Sequence, residues 1–502
     1  MATMCSWYLN NNKIERMKQI KDIITDVACR VVGSEMTEVG ALALDSRRVE
    51  AGTMFFAVVG TATDGHAYIE GAIERGAVAV VCQQLPEQLH DEVCYVVVED
   101  TSAVVGQMAS NFYDRPSEQL KLVGITGTNG KTTTVTLLYE MFRALGYRVG
   151  LLSTVENRID GRVVPTSHTT PDPITLNSLL AEMVEVGCDY CFMEVSSHSI
   201  VQRRIGGLHF AGALFSNITH DHLDYHKTFA EYIRAKKMFF DELPRDAFAL
   251  VNIDDRNGEV MVQNTRARVS RLSLRSMADF VGRVIEMHLD GMLLRLDGRE
   301  LWVRFLGRFN AYNLLTVYGA AVLLGADKEE VLRVLSMLSS VNGRFEALRS
   351  EDGVTAIVDY AHTPDALQNV IDTINDIRGA GRLTVVVGCG GNRDKTKRPE
   401  MAQIAVRGGD SAILTSDNPR GEDPNAILDD MVAGLEPTDR YLRIADRREA
   451  IRTAVMLAES GDVILIAGKG HETYQEVEGV KHHFDDREQV REAFAALRRK
   501  AN

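Results

Sequence analysis

In Val123-Gly-Ile-Thr-Gly-Thr-Asn-Gly-Lys-Thr-Thr-Thr134, a glycine-rich loop joins an apolar stretch to a helix-forming one. The apolar residues predict a buried strand, and Gly127 and Gly130 permit the sharp turn that follows it. Such a loop directs backbone N–H groups and the positive end of the next helix toward one anion. Lys131 adds a charge where the β- and γ-phosphates of a nucleotide would lie. The stretch therefore predicts a nucleotide site in an α/β domain.

The loop is a shorter variant of the common phosphate-binding pattern G-x-x-x-x-G-K-[ST]. Ile125 occupies the position of the first glycine, which leaves G-T-N-G-K-T. The hydroxyl of Thr132 or Thr133 is then placed to bind Mg²⁺. The alternative is a glycine-rich turn with a chance lysine, which would bind no nucleotide.

Length and composition indicate a globular protein of about three domains. The chain has 502 residues, which is too long for one hydrophobic core. Its net charge is −14, with 56 Lys and Arg against 70 Asp and Glu, which argues against a general nucleic-acid or anionic-membrane surface. Seven cysteines without framework spacing, and no leader or membrane-spanning apolar run, predict a cytoplasmic protein. We expect it to act as a monomer.

Apolar periodicity predicts an α/β protein with three domains. We assign 1–116 to a small N-terminal α/β domain, 117–345 to a central phosphate-loop domain with a doubly wound parallel sheet, and 346–502 to a C-terminal Rossmann-like α/β domain. Alternation in 260–305 indicates antiparallel strands, and Arg115-Pro116-Ser117 a linker. Helices are predicted at 14–24, 229–240 and 309–324, and strands at 54–59, 77–82, 94–98, 121–126, 190–195, 213–218, 355–359, 383–388, 412–416 and 463–467.

Polar side chains follow two central strands at their carboxyl ends, where ligands bind in such sheets. Glu194 ends one strand, and His220 and His222 follow the next. A nucleotide-bound Mg²⁺ takes a hydroxyl and a carboxylate, which Thr132 and Glu194 supply, while an imidazole such as His222 suits a second cation. An isolated histidine here would more often make a structural hydrogen bond. With His226, however, three histidines lie in one short stretch, and this density favours a functional site.

Beyond these features, the chain resembles the Mur ligase family of ATP-dependent amide-bond-forming enzymes of peptidoglycan synthesis. The resemblance covers nearly the whole length, and it depends on the order and spacing of many short motifs. These are Asp45-Ser-Arg47, Gly127-Thr-Asn-Gly-Lys-Thr132, His168-Thr-Thr-Pro171, Glu194-Val-Ser-Ser-His198, Asn217-Ile-Thr-His-Asp-His-Leu-Asp-Tyr-His226, Ala235-Lys236, Asn310-Ala-Tyr-Asn313, Gly343-Arg344, Asp359-Tyr-Ala-His-Thr-Pro364, Gly388-Cys-Gly-Gly391, Asp417-Asn-Pro-Arg420 and Gly468-Lys-Gly-His-Glu472.

The resemblance implies a reaction in which ATP phosphorylates a substrate carboxylate and an amine then displaces phosphate from the acyl phosphate. The substrates implied are ATP, UDP-MurNAc-L-Ala-D-Glu and meso-2,6-diaminopimelate, which would be joined to the D-Glu γ-carboxylate. LL-diaminopimelate and L-lysine remain alternative acceptors. Charge develops on phosphoryl oxygens in such a transfer, so catalysis would consist mostly of positioning and electrostatic stabilisation.

For the nucleotide and its metals, the resemblance implies residues from both larger domains. Lys131 and His222 would be catalytic, Glu194 and Thr132 would hold the first Mg²⁺, and His222 would touch the second. Lys236 would be carbamylated by CO₂ into a carboxylate-like group that supports the second Mg²⁺, although from the residues alone it is a solvated lysine on a helix. The implied ATP-binding residues are Gly127, Thr128, Asn129, Gly130, Lys131, Thr132, Thr133, Asn310, Asn313, Arg344 and Asp359.

For the nucleotide sugar, the resemblance implies sites in the first domain and at the central sheet. The hydroxyls and Arg204 suit a ligand that carries phosphates and ends in a carboxylate. The alternative is that some of these hydroxyls only cap helices and turns. The residues implied are Ser46, Arg47, His168, Thr169, Thr170, Ser196, Gln202 and Arg204.

For the acceptor amine, the resemblance implies strand ends of the third domain. Arg420 offers a planar fork for the second carboxylate of diaminopimelate, which L-lysine lacks. An ion pair of Arg420 with Glu422 or Asp423 is the alternative, and Asn392 departs from the acidic residue that is more common in the family. The residues implied are Arg393, Asp417, Asn418, Pro419, Arg420, Gly468 and Glu472.

Two other functions compete with this interpretation. Folylpolyglutamate synthetase shares the loop and the acyl-phosphate chemistry, but it lacks a separate first domain of this kind and the Asn-Pro-Arg motif. A nucleotide-operated switch would hold or hydrolyse ATP alone. A ligase should release phosphate only when a carboxylate and an amine are both present.

Overall fold

Three large β-sheets with packed helices, together with two two-stranded pairs, form the protein in a computed structural model that describes residues 16–60, 63–165, 169–219, 223–437 and 439–501. All three sheets are rich in parallel strands, so the predicted α/β class is confirmed. None of the helices in these ranges is long and apolar enough to cross a membrane.

The first sheet has five strands, and all but the edge strand Arg30–Val32 run parallel to their neighbours. The helix predicted at 14–24 is wrong for the residues of that range that the structure describes, because only Ile20–Ile23 is helical there. Lys18–Gln19 instead pairs with Glu38–Val39, because long-range backbone pairing outweighs a weak local helix preference. In spatial order the strands are Arg30–Val32, Cys94–Val97, Ala77–Cys82, Thr53–Phe56 and Ala41–Ala43, with helices Ile69–Glu74 and Thr101–Phe112.

The second sheet has eleven strands, of which seven consecutive ones are parallel and two at each end are antiparallel. The antiparallel prediction for 260–305 is confirmed for the last two strands. It is wrong for Arg268–Ser273, which pairs in parallel with Phe248–Asn252 because both follow crossover connections. In spatial order the strands are Arg162–Val164, Asn157–Ile159, Val149–Leu152, Tyr190–Glu194, Lys121–Thr126, Gly212–Phe215, Phe248–Asn252, Arg268–Ser273, Phe280–His288, Gly291–Leu296 and Arg299–Val303.

Helices cover both faces of this sheet, which makes its central strands fully buried. Successive side chains of strand Lys121–Thr126 point to opposite faces of the sheet, and each face has its own hydrophobic core. Val123 and Ile125 pack in one core, and Leu122 packs in the other. Gly124 has no room for a side chain, since an added Cβ would lie 2.7 Å from the ring of Phe239. The helices are Lys131–Ala144, Pro173–Val186, Ser197–Val201, Leu223–His226, Phe229–Asp241, Gly258–Met261, Arg308–Leu323 and Lys328–Met337.

The third sheet has six strands, with only the edge strand Glu346–Arg349 antiparallel to its neighbour. A separate hairpin of Tyr474–Val477 and Val480–His483 follows its last strand. In spatial order the strands are Glu346–Arg349, Thr355–Asp359, Val463–Ala467, Leu383–Cys389, Ser411–Ser416 and Tyr441–Arg443. The helices are Pro364–Ile377, Lys397–Gly408, Pro424–Val432, Arg447–Leu457 and Asp486–Ala501.

The first sheet is held closely against the central one. Helix Thr101–Phe112 meets the turn after Ser197–Val201 so tightly that a Cβ on Gly106 would lie 2.2 Å from the carbonyl oxygen of Gly206. The predicted linker is packed rather than extended, because Pro116–Glu118 forms a short 3-10 helix and the backbone N–H of His209 donates to the buried Ser117 hydroxyl at 2.9 Å. The first sheet, which carries Ser46 and Arg47, is thereby packed against the central sheet, which carries the other predicted nucleotide-sugar residues.

Candidate active site

The glycine-rich loop lies at the carboxyl edge of the central sheet and turns directly into helix Lys131–Ala144. Gly130 has a φ of 87°, and an added Cβ there would lie 2.4 Å from Asn313 Oδ1, so both backbone conformation and space require glycine. The backbone N–H groups of Thr128 and Asn129 donate to Asn217, at 2.8 and 3.0 Å. These two N–H groups are therefore used within the protein, and the loop offers fewer donors to an anion than the sequence predicted.

The remaining donors are those of the first helical turn. Thr134 is the first residue whose N–H donates within the helix, to the carbonyl of Gly130 at 2.9 Å. The N–H groups before it have no carbonyl to reach inside the helix, and the helix dipole adds positive potential there. This end of the helix, rather than the loop alone, is the anion site that the geometry offers.

Two lysines converge on one carbonyl oxygen of the loop. Lys131 Nζ donates to the carbonyls of Gly127 and Thr128, at 2.9 Å each, and Lys236 Nζ donates to that of Gly127 at 2.8 Å. Lys236 is buried at 1% exposure, with its ammonium 4.6 Å from the ring centre of Tyr232. The interpretation of Lys236 as a solvated surface lysine is therefore wrong, because its helix turns it under the loop.

A hydroxyl and a carboxylate meet beside the loop. Thr132 Oγ1 donates to Glu194 Oε1 at 2.8 Å, and both residues are buried. Thr154, which sequence reasoning missed, donates to the same carboxylate from its backbone N–H at 2.8 Å and from its hydroxyl at 3.1 Å. Of the two predicted hydroxyls, Thr132 rather than Thr133 makes this contact. Hydroxyl and carboxylate oxygens are the ligands that Mg²⁺ prefers.

Among the described residues, no larger set of metal ligands joins Thr132 and Glu194. Within the described ranges, three or more His, Cys, Asp or Glu side chains nowhere form a metal-ligating cluster. His222 and His168, both predicted site residues, lie outside the described residues. The neighbouring His226 is buried, and its Nε2 lies 2.9 Å from Ser197 Oγ.

Arg344 connects the third sheet to the loop. Its guanidinium donates to Thr132 Oγ1 at 3.2 Å and lies 4.5 Å from the ring centre of Tyr360. Asp359 accepts the backbone N–H of Phe345 at 2.7 Å, and burial raises the pKa of Asp359 to about 6 against the opposing effect of Arg344. Both predicted nucleotide residues are thus placed at the junction between the two larger sheets.

Asn310 and Asn313 lie one turn apart at the start of helix Arg308–Leu323 and are buried. Asn313 Nδ2 donates to Asn310 Oδ1 at 3.0 Å, and Asn310 Nδ2 donates to the carbonyl of Leu306 at 2.8 Å. The contact of Asn313 with Gly130 brings this predicted pair beside the glycine-rich loop.

Several predicted nucleotide-sugar residues form one hydrogen-bonded group next to Glu194. Thr154 Oγ1 lies 3.1 Å from Thr169 Oγ1, at hydrogen-bond distance, and Thr170 Oγ1 donates to the carbonyl of Glu194 at 2.9 Å. Arg204 donates to the carbonyl of Thr170 at 2.8 Å and to Gln202 Oε1 at 2.6 and 3.0 Å. This group faces the same sheet edge as the loop.

The remaining nucleotide-sugar predictions are placed differently. Ser196 Oγ accepts the N–H of Ser199 at 3.1 Å and so caps a helix, as the structural alternative expected. Ser46 and Arg47 lie in a 3-10 helix of the first domain, where Arg47 pairs with Asp45 at 2.8 Å. Hydrogen bonding to Arg47 lowers the pKa of Asp45 to about 2. No described hydrogen bond joins this pair to the group beside Glu194.

The predicted acceptor residues meet at the carboxyl edge of the third sheet. Asn418 Nδ2 donates to Glu472 Oε2 at 2.7 Å, and a Cβ added to Gly468 would lie 2.7 Å from Asp417 Oδ2. Around Gly390, a single added Cβ would lie 2.9 Å from Arg420 Nη1 and 3.7 Å from Arg393 Cγ. The two arginines therefore flank one glycine turn. Pro419 continues the loop between Asn418 and Arg420.

Arg420 is held by the hairpin that follows the last strand. Its backbone has a φ of 52°, its N–H donates to the carbonyl of Glu476 at 3.0 Å, and its Nε lies 3.6 Å from Glu476 Oε2. The alternative pairing with Glu422 is wrong, because Glu422 accepts from the buried Arg398 at 2.9 and 3.0 Å. That contact lowers the pKa of Glu422 to about 2. Asp423, the other proposed partner, caps helix Pro424–Val432.

A buried ion pair that sequence reasoning missed clamps the strands behind this cluster. Arg447 and Asp486 side chains are both fully buried and meet at 2.7 and 2.8 Å. Arg447 also donates to the carbonyls of Ser416 and Ala467, at 3.2 and 3.1 Å, which end the strands before Asp417 and Gly468. The only indication of this ion pair in the sequence is an arginine at the start of a helix.

Replacing Arg447 by methionine should destabilise the protein by about 3–5 kcal/mol, because Asp486 would remain buried without its cation. Urea unfolding followed by circular dichroism measures the change. The exposed neighbour Arg448 offers the matched control, since Arg448→Met should shift the unfolding free energy by less than about 0.5 kcal/mol. Equal stability of the Arg447→Met and wild-type proteins would contradict the clamp.

Comparison with known proteins agrees with this architecture. Models described as Mur ligase family, catalytic domain, Mur ligase middle domain, and Mur ligase, glutamate ligase domain match residues 38–113, 125–321 and 343–470. A curated protein of Bacteroides fragilis named UDP-N-acetylmuramoyl-L-alanyl-D-glutamate–2,6-diaminopimelate ligase is 57% identical over 481 residues, which are 95% of this chain and 99% of that protein. A protein of the same name from Parabacteroides distasonis is 59% identical over the same shares.

A solved structure of a protein with that name has a TM-score of 0.70 and 32% identity, and it covers 96% of this chain and 99% of its own. Family models, near full-length relatives and a solved structure therefore agree across all three sheets. The chain belongs to the Mur ligase family.

Proposed function

We propose that this protein joins diaminopimelate to the D-Glu γ-carboxylate of UDP-MurNAc-L-Ala-D-Glu and converts ATP to ADP and phosphate. The observation that carries the proposal is the junction at Arg344, which connects the anion site at Lys131–Ala144 with the sheet that bears Arg420 and Glu472. The names of relatives at 57% and 59% identity support the same reaction.

The reaction has two bond exchanges. A γ-carboxylate oxygen attacks the γ-phosphorus of ATP, the bond from that phosphorus to the β-phosphate breaks, and ADP leaves. The acceptor nitrogen then attacks the acyl carbon, the carbon–oxygen bond to phosphate breaks, and the nitrogen loses a proton. Lys131 and the first turn of its helix would stabilise charge on the transferring phosphoryl oxygens. Arg204 would bind an anionic part of the nucleotide sugar.

Mg²⁺ fits the residues beside the loop, where Thr132 and Glu194 already bring hydroxyl and carboxylate oxygens within 2.8 Å. These two would hold the ion, with water and phosphate oxygens completing its shell. When bound, the ion supplies positive charge that neutralises the phosphates. Asn310 and Asn313, next to Gly130, would line the nucleotide site.

Carbamylation of Lys236 also fits its surroundings. The carbamate nitrogen keeps one N–H, which can still donate to the carbonyl of Gly127, and the added carboxylate would lie near the ammonium of Lys131, which shares that carbonyl. The nearby ammonium of Lys131 would attract the negative charge of the carbamate. His222, as proposed from the family, would complete the second metal site.

Lys236→Ala should therefore lose most activity, and short-chain carboxylic acids should restore part of it by filling the vacated oxygen positions. Phosphate release with and without added acetate measures this effect. Lys237→Ala is the matched control and should stay active, because Lys237 pairs with Asp241 at 2.5 Å on another side of the helix. A mass spectrum of fully active enzyme that shows unmodified Lys236 would rule out the carbamate.

The proposed function is tested by phosphate release with ATP, Mg²⁺, UDP-MurNAc-L-Ala-D-Glu and a panel of amino acids. Release should require both the nucleotide sugar and meso-diaminopimelate, and the product mass should show one new amide bond. Release with ATP alone would indicate a switch protein, and release with a folate substrate and glutamate would indicate a folylpolyglutamate synthetase.

We further propose that the reaction takes place in the cytoplasm. The six cysteines in the described ranges form no disulfide. Burial raises the pKa of Cys82, Cys94 and Cys188 to about 11, which keeps these thiols protonated. Reduced, buried thiols suit a reducing compartment.

A further inference from the structure

One buried cation at the acceptor cluster has no role in the proposed chemistry. Lys469 follows strand Val463–Ala467 and has an exposed fraction of 0%. A fully buried lysine is costly unless its charge is paired. Its Nζ donates to Asn418 Oδ1 and to Glu472 Oε2, at 3.0 Å each, so both partners are predicted acceptor-binding residues.

These three side chains form a closed triangle. Asn418 Nδ2 donates to Glu472 Oε2 at 2.7 Å, which is the oxygen that also accepts from Lys469. Asn418 Oδ1 accepts a second hydrogen bond from the backbone N–H of Glu476 at 2.9 Å. The amide orientation of Asn418 is therefore set by two donors at one end and a carboxylate at the other.

The triangle uses one carboxylate oxygen of Glu472 and leaves the other. Both described donors to this side chain, Lys469 and Asn418, reach Oε2, and no described side chain or backbone group donates to Oε1. The Glu472 side chain is 15% exposed, whereas that of Lys469 is fully buried behind it. Oε1 is therefore the oxygen of Glu472 that these hydrogen bonds leave for a ligand.

We propose that Lys469 is a positioning residue that turns Glu472 Oε1 toward the distal ammonium of the acceptor amino acid. This inference rests on the proposed function, because it assigns Lys469 to the same acceptor site. Lys469 does not touch the reacting atoms. Its loss should weaken acceptor binding and leave the phosphoryl transfer step unchanged.

Hydrogen bonds of Asn418 and Lys469 also connect two segments that carry predicted acceptor residues with the hairpin that holds Arg420. Asn418 belongs to the loop that holds Arg420, Glu472 follows Gly468, and Glu476 belongs to the hairpin that pairs with Arg420. Lys469 donates to Asn418 and Glu472, and Asn418 Oδ1 in turn accepts from the hairpin. A loss of Lys469 would let Glu472 rotate, and both ends of the acceptor would then be held less accurately.

The test compares Lys469→Met with wild type at saturating ATP and nucleotide sugar. We expect the KM for meso-diaminopimelate to rise by at least about tenfold, because a charge-assisted hydrogen bond that orients Glu472 is lost. We expect kcat and the KM for ATP to stay within about threefold of wild type. An unchanged KM for meso-diaminopimelate, or an equal rise in the KM for meso-diaminopimelate and in the KM for ATP, would overturn the proposal.

A double-variant comparison separates positioning from a general structural effect. If Lys469 acts through Glu472, adding Lys469→Met to Glu472→Gln should raise the acceptor KM no further, whereas independent effects would multiply. Multiplied effects would overturn the proposal. If Lys469→Met fails to fold, Lys469→Gln replaces it in both comparisons, and the expected outcomes are the same because glutamine also removes the ammonium charge that orients Glu472.

Lys481→Met is the matched control. Lys481 is exposed and lies 4.1 Å from the ring centre of Tyr474, while Lys469 Nζ lies 5.5 Å from the same ring. Lys481 makes no described contact with Glu472, so the Lys481→Met variant should have the wild-type KM for meso-diaminopimelate. Wild-type protein that releases no phosphate with any acceptor would refute the proposed function. Active wild type with an unaffected Lys469→Met variant would refute only this inference.

Discussion

Lys131→Ala should reduce turnover by roughly 10²- to 10³-fold or more, because the variant lacks a charge that stabilises the transferring phosphoryl group. In the structure, the ammonium lies against the carbonyls of Gly127 and Thr128, at the start of the helix whose first N–H groups are proposed to bind the phosphates. The helix begins with a Gly130 cap and continues into a buried face, so its fold does not depend on this side chain.

Phosphate release under saturating substrates measures the loss, and circular dichroism checks that the fold persists. Lys328→Ala is a suitable control, because Lys328 is exposed and lies 3.5 Å from Asp297 at another part of the central sheet. Unchanged phosphate release by folded Lys131→Ala protein would show that the loop is not the ATP site.

Arg420→Ala should collapse the preference for diaminopimelate over L-lysine. In wild type we expect kcat/KM to favour diaminopimelate by roughly 10⁴-fold, because lysine would leave a site built for a carboxylate unfilled. Arg420 is prepared for this role, since its guanidinium is held between the carbonyl of Gly391 at 2.9 Å and Glu476 at 3.6 Å. A planar fork fixed in this way can bind a carboxylate through two hydrogen bonds.

The measurement is kcat/KM for meso-diaminopimelate, LL-diaminopimelate and L-lysine with wild type, Arg420→Ala and a control. Arg407→Ala serves as control, because Arg407 is exposed on helix Lys397–Gly408. We expect the meso isomer to be preferred to the LL isomer. Equal or better use of L-lysine by wild type would overturn the acceptor assignment and leave the ligase proposal intact.

The sequence predicted several strands to the residue. Four strands have the predicted bounds, because a short apolar run between polar residues is typical of a strand that is buried on both faces of a parallel sheet. These strands are Ala77–Cys82, Lys121–Thr126, Thr355–Asp359 and Val463–Ala467. The helical prediction at 14–24 failed where backbone pairing with Glu38–Val39 outweighed local spacing.

The candidate site was predictable wherever its residues followed those strands in the chain. Thr132 and Glu194 are 62 residues apart, yet each comes directly at a strand or loop end, and neighbouring parallel strands bring such ends together. Their meeting at 2.8 Å agrees with that expectation. The family resemblance supplied Lys236 and Arg420, for which residue patterns alone gave no chemical role.

The amino-acid sequence by itself determined the strands, the glycine-rich loop and the residues at the strand ends, because these depend on local periodicity and on backbone geometry. Tertiary structure alone decided which partners those residues take. It buried Lys236 beneath Gly127, placed Lys469 behind Glu472, and paired Arg447 with Asp486. Such partners are far apart along the chain, and the free energy of burying a charge depends on the groups that folding brings around it, which no local pattern records.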